Sequence, residues 1–331
     1  MEQKSVFLEP KQEPKVVVIG GGHGLSAMLR GLKQHFSDIT AIVTVADDGG
    51  SSGKLRDELG MLPPGDIRSC ILALSEAEPT MDQLMNYRFT EGSLAGQCFG
   101  NLFLAAMNGI SDSFSEAVRK MCGILAITGR VLPVTEKDVR LEAEFDNGER
   151  TLGESKIFYA KKVNNCRIRQ VRLVPEGPPA LPESLRAIRT ADLILIGPGS
   201  LYTSIIPNFL VQGVAEAVAA SYALKIFVMN IMTQDGETEG YSGYDHIRAF
   251  LEHAPGTVDL CIANNRQLSR KTLEPYRKEG VDLIRLEKEK IEALGIPVRE
   301  YPLATEERYV RHDTVLLADA ILEIYREKRG R

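Results

Sequence analysis

The sequence predicts an α/β fold: a Rossmann-like, doubly wound, mostly parallel sheet with helices on both faces. Three observations carry this expectation. Short, unbroken apolar runs recur along the chain, helical stretches separate them, and two of the runs end in glycine-rich turns. A strand covered on both faces reads as a continuous apolar run rather than an alternating one, and strands that alternate with helices imply βαβ units.

Residues 1–14 are polar, contain Pro10 and Pro14, and read as a flexible tail. Residues 15–331 read as one domain. Its first strand is 15–20 (KVVVIG), followed by a helical pattern over 25–34 and a second strand, 39–46 (ITAIVTVA). Residues 80–130 read as a helical insertion, apolar at 102–107 and 114–127. Residues 139–174 read as a small antiparallel β excursion, with Asp146-Asn147-Gly148 as a hairpin turn, because Asn-Gly accepts positive φ at both central positions. The proline-rich stretch 175–182 ends it. Strands then resume at 191–197 (ADLILIG), 225–231 (KIFVMNI) and 258–263 (VDLCIA). The last helix, 314–329, ends in the basic EKRGR, where positive charge suits the helix dipole.

Composition excludes several classes. Of 331 residues, 44% are hydrophobic and 26% charged, which rules out wholesale disorder, collagen and coiled coil. A chain of this length buries about three quarters of its unfolded surface, so its core needs no disulfide. The net charge of -5 gives no support for nucleic-acid binding. The five cysteines are scattered and none is at metal-ligand spacing, which points to a reducing, cytoplasmic setting. No apolar run approaches the ~18 residues of a membrane span, and the N-terminus lacks the apolar core of a signal peptide.

The first constellation of interest is Gly20-Gly21-Gly22-His23-Gly24-Leu25-Ser26-Ala27. Gly22-x-Gly24-x-x-Ala27 follows a strand and opens a helix, the context a dinucleotide-type turn needs. Glycines let the backbone approach a phosphate, and a helix N-terminus offers free N–H groups. The bland alternative is a tight turn. The second is Asp47-Asp48-Gly49 at the end of the second strand. An acid there can accept a ribose hydroxyl or hold Mg²⁺; the alternative is an exposed Asp-Gly turn. Gly49-Gly50-Ser51-Ser52-Gly53 formally matches a nucleophile elbow, and Ser51, Asp235 and His312 can be forced into a triad. The abutting aspartates argue against it. Gly53-Lys54 is not a Walker A loop, because Asp48 and Leu55 stand where Gly and Ser/Thr belong.

Asp66, in the turn LPPGDIR, is read either as a helix N-cap or as a third acid at the sheet's carboxyl edge. Asn101, in GQCFGNL, either faces a ligand or belongs to a packed helix start. Gly197, Gly199, Ser200 and Thr203 form a second glycine turn after the strand ADLILIG, a second anion site or the other jaw of one diphosphate grip. Asn208 reads as a helix N-cap. The polar stretch 230–238 is a weaker candidate. Tyr276 and Arg311 are within reach of a base or sugar, and Asp313 reads as a cap.

GGGHGLSAMLRGLK, TVADDGGSSGKLR, LPPGDIRSC, GQCFGNL and IGPGSLYTSIIPN, in this order, resemble the YvcK family of gluconeogenesis factors, over about residues 15–327. A more distant resemblance is to CofD, the 2-phospho-L-lactate transferase. The YvcK resemblance implies a UDP-sugar ligand such as UDP-N-acetylglucosamine. It also implies a role in cell-wall (peptidoglycan) precursor supply and cell shape during gluconeogenic growth, and a partner enzyme of hexosamine synthesis. Tyr276 and Arg311 match positions of its UDP-sugar site. The CofD resemblance implies Mg²⁺ near Asp48 and Asp66 and a nucleotide-activated lactyl donor, although GGSSGKLR after the Asp pair departs from CofD.

The leading expectation is therefore a cytoplasmic UDP-sugar-binding regulator that requires no cofactor for binding, with no catalytic residue assigned. Its ligand residues are Gly21, Gly22, His23, Gly24, Leu25, Asp47, Asp48, Gly49, Asn101, Gly197, Gly199, Ser200, Thr203, Tyr276 and Arg311. The alternatives are an Mg²⁺-dependent transferase that uses Asp48 and Asp66, and an NAD(P)-binding oxidoreductase. No nucleic acid or membrane is expected as partner, and homo-oligomerisation through the β excursion is a further expectation.

Overall fold

The computed structural model describes residues 13–76, 78–164, 166–306 and 309–329. Of the expected tail, residues 1–12 lie outside this range, as do the last two residues of EKRGR. The first strands of the main sheet are β1 (Val16–Gly20), β2 (Ile39–Val43) and β3 (Arg130–Pro133). After an excursion of β4 (Arg140–Phe145), β5 (Arg150–Leu152) and β6 (Ile168–Val174), the chain returns to β7 (Leu193–Ile196), β8 (Leu224–Val228), β9 (Leu260–Asn264) and β10 (Val298–Tyr301). A short hairpin of β11 (Ala304–Glu306) and β12 (Val310–His312) precedes the last helix, Thr314–Arg329.

Seven strands pair in parallel in the order β10-β9-β8-β7-β1-β2-β3, in register from Val16 opposite Ile39 and Leu193. Every residue of β1, β2, β7 and β8 is buried. Burying one Val or Ile side chain is worth about 1.5–3 kcal/mol, more than the spread of β-propensity, so the unbroken runs were a dependable signal. The chain builds outward from β1 to β3, then restarts on the other side of β1 at β7. The sheet's topological switch therefore lies between β1 and β7, where open α/β sheets bind ligands at the carboxyl ends of the strands.

The five expected strands are present; β3 and β10, one at each sheet edge, are additions. The excursion needs a larger correction. Its sheet is antiparallel, in the order β5-β4-β6, but the helix Glu154–Asn164 lies between β5 and β6 where β structure was expected. The apolar residues Ile157, Phe158 and Tyr159 made this stretch look strand-like. Its helical start is fixed from outside: Asp48 Oδ1 accepts the Ser155 N–H at 2.9 Å and also the Ser155 hydroxyl. A distant acid acting as the cap is invisible in local sequence. Asp48→Ala should lower stability by about 1 kcal/mol and speed amide exchange selectively over residues 154–164. Unchanged exchange there would argue against the cap.

The hairpin also differs from expectation. Gly148 alone has positive φ, +84°. Gly148 N–H donates to Phe145 O at 3.0 Å, giving a three-residue connection rather than two residues of positive φ. Asp146 is held instead by Arg167, whose N–H it accepts at 3.0 Å. The insertion 80–130 is mostly helical as expected, with helices Pro79–Asn86, Phe99–Gly109 and Phe114–Ile124. Among the described residues no helix is long and apolar enough to cross a membrane, and the five cysteines are unpaired.

Candidate functional site

The two glycine turns sit side by side at the switch point because β1 and β7 are neighbours. The first opens the helix Gly22–Leu32; the second leads into a π-helical turn, Leu201–Ile205. They touch through bare backbone. A Cβ on Gly24 would lie 2.7 Å from Pro198 O, and one on Gly199 would lie 3.1 Å from Gly21 O. The third strand end joins them: Asn230 accepts the Gly199 N–H at 3.0 Å and donates to Gly199 O at 2.7 Å.

Asp66 completes the first turn. It lies inside the first turn of the helix Gly65–Leu74, whose N-cap position is Pro64, so the expected capping role is not the observed one. Its Oδ2 accepts the Gly22 N–H at 2.7 Å. Asp47 approaches from β2, with Oδ1 accepting the Gly49 N–H at 2.8 Å. Gly65 permits that approach, since a Cβ there would meet Ser52 Oγ at 2.4 Å and Asp47 Oδ2 at 3.2 Å. Glu154, from the excursion, is the third acid on this wall.

These elements enclose a cleft of about 540 Å³. Gly22, His23, Gly24, Asp47, Asp66, Gly199, Ser200 and Arg311 of the expected set line it, together with Glu154, Asn230 and Gln234. A side chamber of about 250 Å³ continues behind Asp47 and Glu154, and Gly49 and Thr203 line it. Several expected ligand residues are elsewhere. Leu25 is fully buried in the core. Gly21 packs against Asp66 and Thr44, and Gly197 beneath the turn against Ile205 and Val228 O. Asn101 is buried and donates to Ser51 Oγ at 3.1 Å. Asp48 faces Ser155. Tyr276 lies in an adjoining pocket with Tyr309 and Glu306, where its hydroxyl accepts the Val310 N–H at 2.9 Å.

Other expectations are corrected by bonding. The second turn does not present free helix N–H groups, since the buried Glu237 accepts those of Tyr202 and Thr203 at 2.9 and 3.0 Å. Asn208 is not a cap; it lies within Ile206–Phe209 and donates to Gly20 O and Ser204 O. Asp313 does cap the last helix, accepting Val315 and Leu316 N–H at 3.0 Å. The forced triad is absent: Ser51 is buried and donates to Gln97 at 2.6 Å, while His312 Nε2 bonds Met229 O at 3.1 Å. Asp48 and Asp66 do not converge on one point, and no group of three or more His, Cys, Asp or Glu among the described residues is placed to hold a metal ion.

The cleft brings cationic and acidic groups together. Arg311 and His23 both line it. Desolvation, then Arg311, Arg68 and Arg30, lower the His23 pKa, favouring neutral imidazole. Burial raises all three acids, of which Asp66 contacts the first turn itself. Asp66 is pushed up to about 6 by burial and then by Asp47, against the bond from Gly22. Burial raises Asp47 despite the Gly49 and Ser52 bonds, and lifts Glu154 well above its usual range, with Asp47 and Asp66 adding to the shift. Burial pulls His312 down to about 4. Glu154 was missed because it arrives on an inserted helix; Asn230 and Gln234 had only a strand-end polar stretch as signal.

Comparison with known proteins follows the same lines. Residues 16–304 match the family model of CofD, 2-phospho-L-lactate transferase. A relative from Thermoanaerobacterium thermosulfurigenes is 52% identical over 310 residues, 93% of this chain and 96% of its own. The gluconeogenesis factor of Bacillus subtilis is 43% identical over 320 residues, 96% of this chain and 99% of its own. A crystal structure of a UPF0052-family protein from Bacillus halodurans superposes with a TM-score of 0.91 at 43% identity, over 95% of this chain and all of that one.

Proposed function

The chain belongs to the CofD family, on the branch of the gluconeogenesis factors, and from that premise we propose that it is a UDP-sugar-binding regulatory protein. The observation that carries this reading is the cleft at the sheet's switch point. Two abutting glycine turns and Arg311 line it together with hydrogen-bond acceptors, of which Asp66 holds the first turn and Asp47 and Glu154 lead into the side chamber. A sugar nucleotide has the matching polarity, with an anionic diphosphate at its centre and a neutral, hydroxyl-rich ring at one end.

In this reading the diphosphate lies along Gly22, His23 and Gly24 and is gripped by Arg311, whose planar guanidinium suits two oxygens at once. Ser200 and Gln234, already bonded to each other at 2.7 Å, supply a polar floor. Tyr276 acts from one step behind, by holding Val310 next to Arg311. The Ser200 hydroxyl and His312 are committed to structural bonds, which favours recognition over nucleophilic chemistry. Ligand binding then shifts the population of the form that meets a partner, an enzyme of hexosamine synthesis, and so regulates cell-wall precursor supply and cell shape during gluconeogenic growth.

A thermal-shift panel tests the reading with UDP-N-acetylglucosamine, UDP-glucose, UDP, GDP and NAD⁺, each with and without Mg²⁺. A ligand at about 100 times its Kd stabilises the native state by about 2.7 kcal/mol, a rise of several degrees. UDP-sugars should give that rise, and Arg311→Ala should weaken their binding about tenfold or more. A rise with NAD⁺ alone would move the assignment to a dinucleotide enzyme. A rise with GDP that requires Mg²⁺ would move it to a transferase.

A further inference from the structure

We propose that the acidic wall of the cleft and the chamber behind it form a subsite for an uncharged, donor-rich sugar, and that this subsite rejects sugars bearing a carboxylate. The inference rests on the sugar-nucleotide reading and adds a selection rule to it.

The geometry supplies the argument. Asp47 and Glu154 line both the main cleft and the side chamber, so the two spaces form one path. The chamber, about 250 Å³, holds roughly eight waters' worth of volume, enough for one pyranose ring. Phe158 gives it an apolar wall of the kind a sugar face packs against, and Thr203 and Gln234 give polar edges. Glu237, 3% exposed, also lines it. The Oε1 of Glu237 takes two backbone N–H groups, while its Oε2 is buried with no partner. The chamber is thus rich in acceptors and is lined by no Lys, Arg or His among the described residues, whereas Arg311 lines the main cleft.

A ring that presents hydroxyl or amide N–H donors satisfies such a wall. A ring that presents a carboxylate would place an anion where the surroundings already push Asp47 and Glu154 toward their neutral forms and where no described Lys, Arg or His lines the chamber, so its charge would be left uncompensated, which is unfavourable. Selection of this kind works by rejection as much as by attraction. The acids shared by cleft and chamber, Asp47 and Glu154, set it. Glu154 reaches the cleft because Asp48 pins the start of its helix, so the β excursion acts as the carrier of part of the specificity element.

UDP-glucose and UDP-glucuronate differ only in a CH₂OH against a carboxylate. Their Kd values for the full chain should be measured calorimetrically at pH 7.5, in the wild type and in Glu154→Gln and Asp47→Asn. The wild type should bind UDP-glucuronate about tenfold or more weakly than UDP-glucose. In Asp47→Asn that ratio should fall to about threefold or less, with Glu154→Gln moving it in the same direction. The ratio is taken within one variant, so a general loss of affinity cancels. Equal affinities in the wild type, or an unchanged ratio in both variants, would overturn the selection rule while leaving sugar-nucleotide binding in place. Failure of both nucleotides to bind the wild type would overturn the two together.

Discussion

Gly24→Ala should weaken UDP-N-acetylglucosamine binding by about 100-fold, a larger loss than removing any single side chain in the cleft. The added Cβ would sit 2.7 Å from Pro198 O and 3.0 Å from Pro198 C. Both are backbone atoms of the opposite turn, so no flexible side chain can swing away to make room. The turns must separate, and their contact sets the spacing between Gly22 and Ser200 on either side of the ligand. Overpacking of this kind also costs stability, about 1–3 kcal/mol. Gly109→Ala is the control, because a Cβ there has nothing within 4 Å. Calorimetric titration alongside urea unfolding separates the two effects. Wild-type affinity in Gly24→Ala would show that the turns do not need their contact to bind ligand.

That contact explains why part of the site was legible in the sequence. A run of glycine after an apolar strand is a statement about backbone, and backbone constraints are local. Gly22, Gly24 and Gly199 were therefore identified, although one of their tasks, letting two turns abut, was not. Position along a strand is also local, which placed Asp47 at the carboxyl edge. Telling Asp47 from Asp48 was not possible in the same way. The two are adjacent yet face different elements, one the cleft and the other the Ser155 N–H. Leu25 and Asn101 sit in motifs that look functional, but their side chains point into the core and to Ser51.

The fold divides along the same line. β1, β2, β7 and β8 are buried throughout, so their sequences carry the whole signal. The edge strands β3 and β10 include exposed residues and were not recognisable as apolar runs. Glu154–Asn164 is helical because a distant carboxylate caps it, information held in the fold rather than in the segment. Glu154 was hidden for this reason, brought to the turns by an element remote in sequence, whereas Glu237 lies in the polar stretch 230–238 with nothing local to mark its place beneath the second turn.

Glu237 yields the largest expected effect on stability. Burial pushes its carboxyl from 4.5 up to about 7, overcoming the backbone N–H bonds that favour the charged form, and its Oε2 has no partner. An acid whose native pKa lies above its unfolded value stabilises the fold fully below the unfolded value, and that contribution is lost as pH climbs through the native one. Its window therefore runs from about 4.5 to about 7. Asp66, raised to about 6, acts with the same sign. The histidines held below their ordinary values, His23, His246, His253 and His312, pull the other way as pH falls. The whole-protein profile mixes these, but the difference between Glu237→Gln and wild type isolates one group, because the histidines are common to both. From pH 5 to pH 8 that difference should move by about 2 kcal/mol or more in favour of the glutamine variant, read from urea midpoints. A difference independent of pH would mean that Glu237 is ionised throughout. The second glycine turn would then carry a permanent internal anion, leaving Arg311 and the first turn to hold the diphosphate without its help.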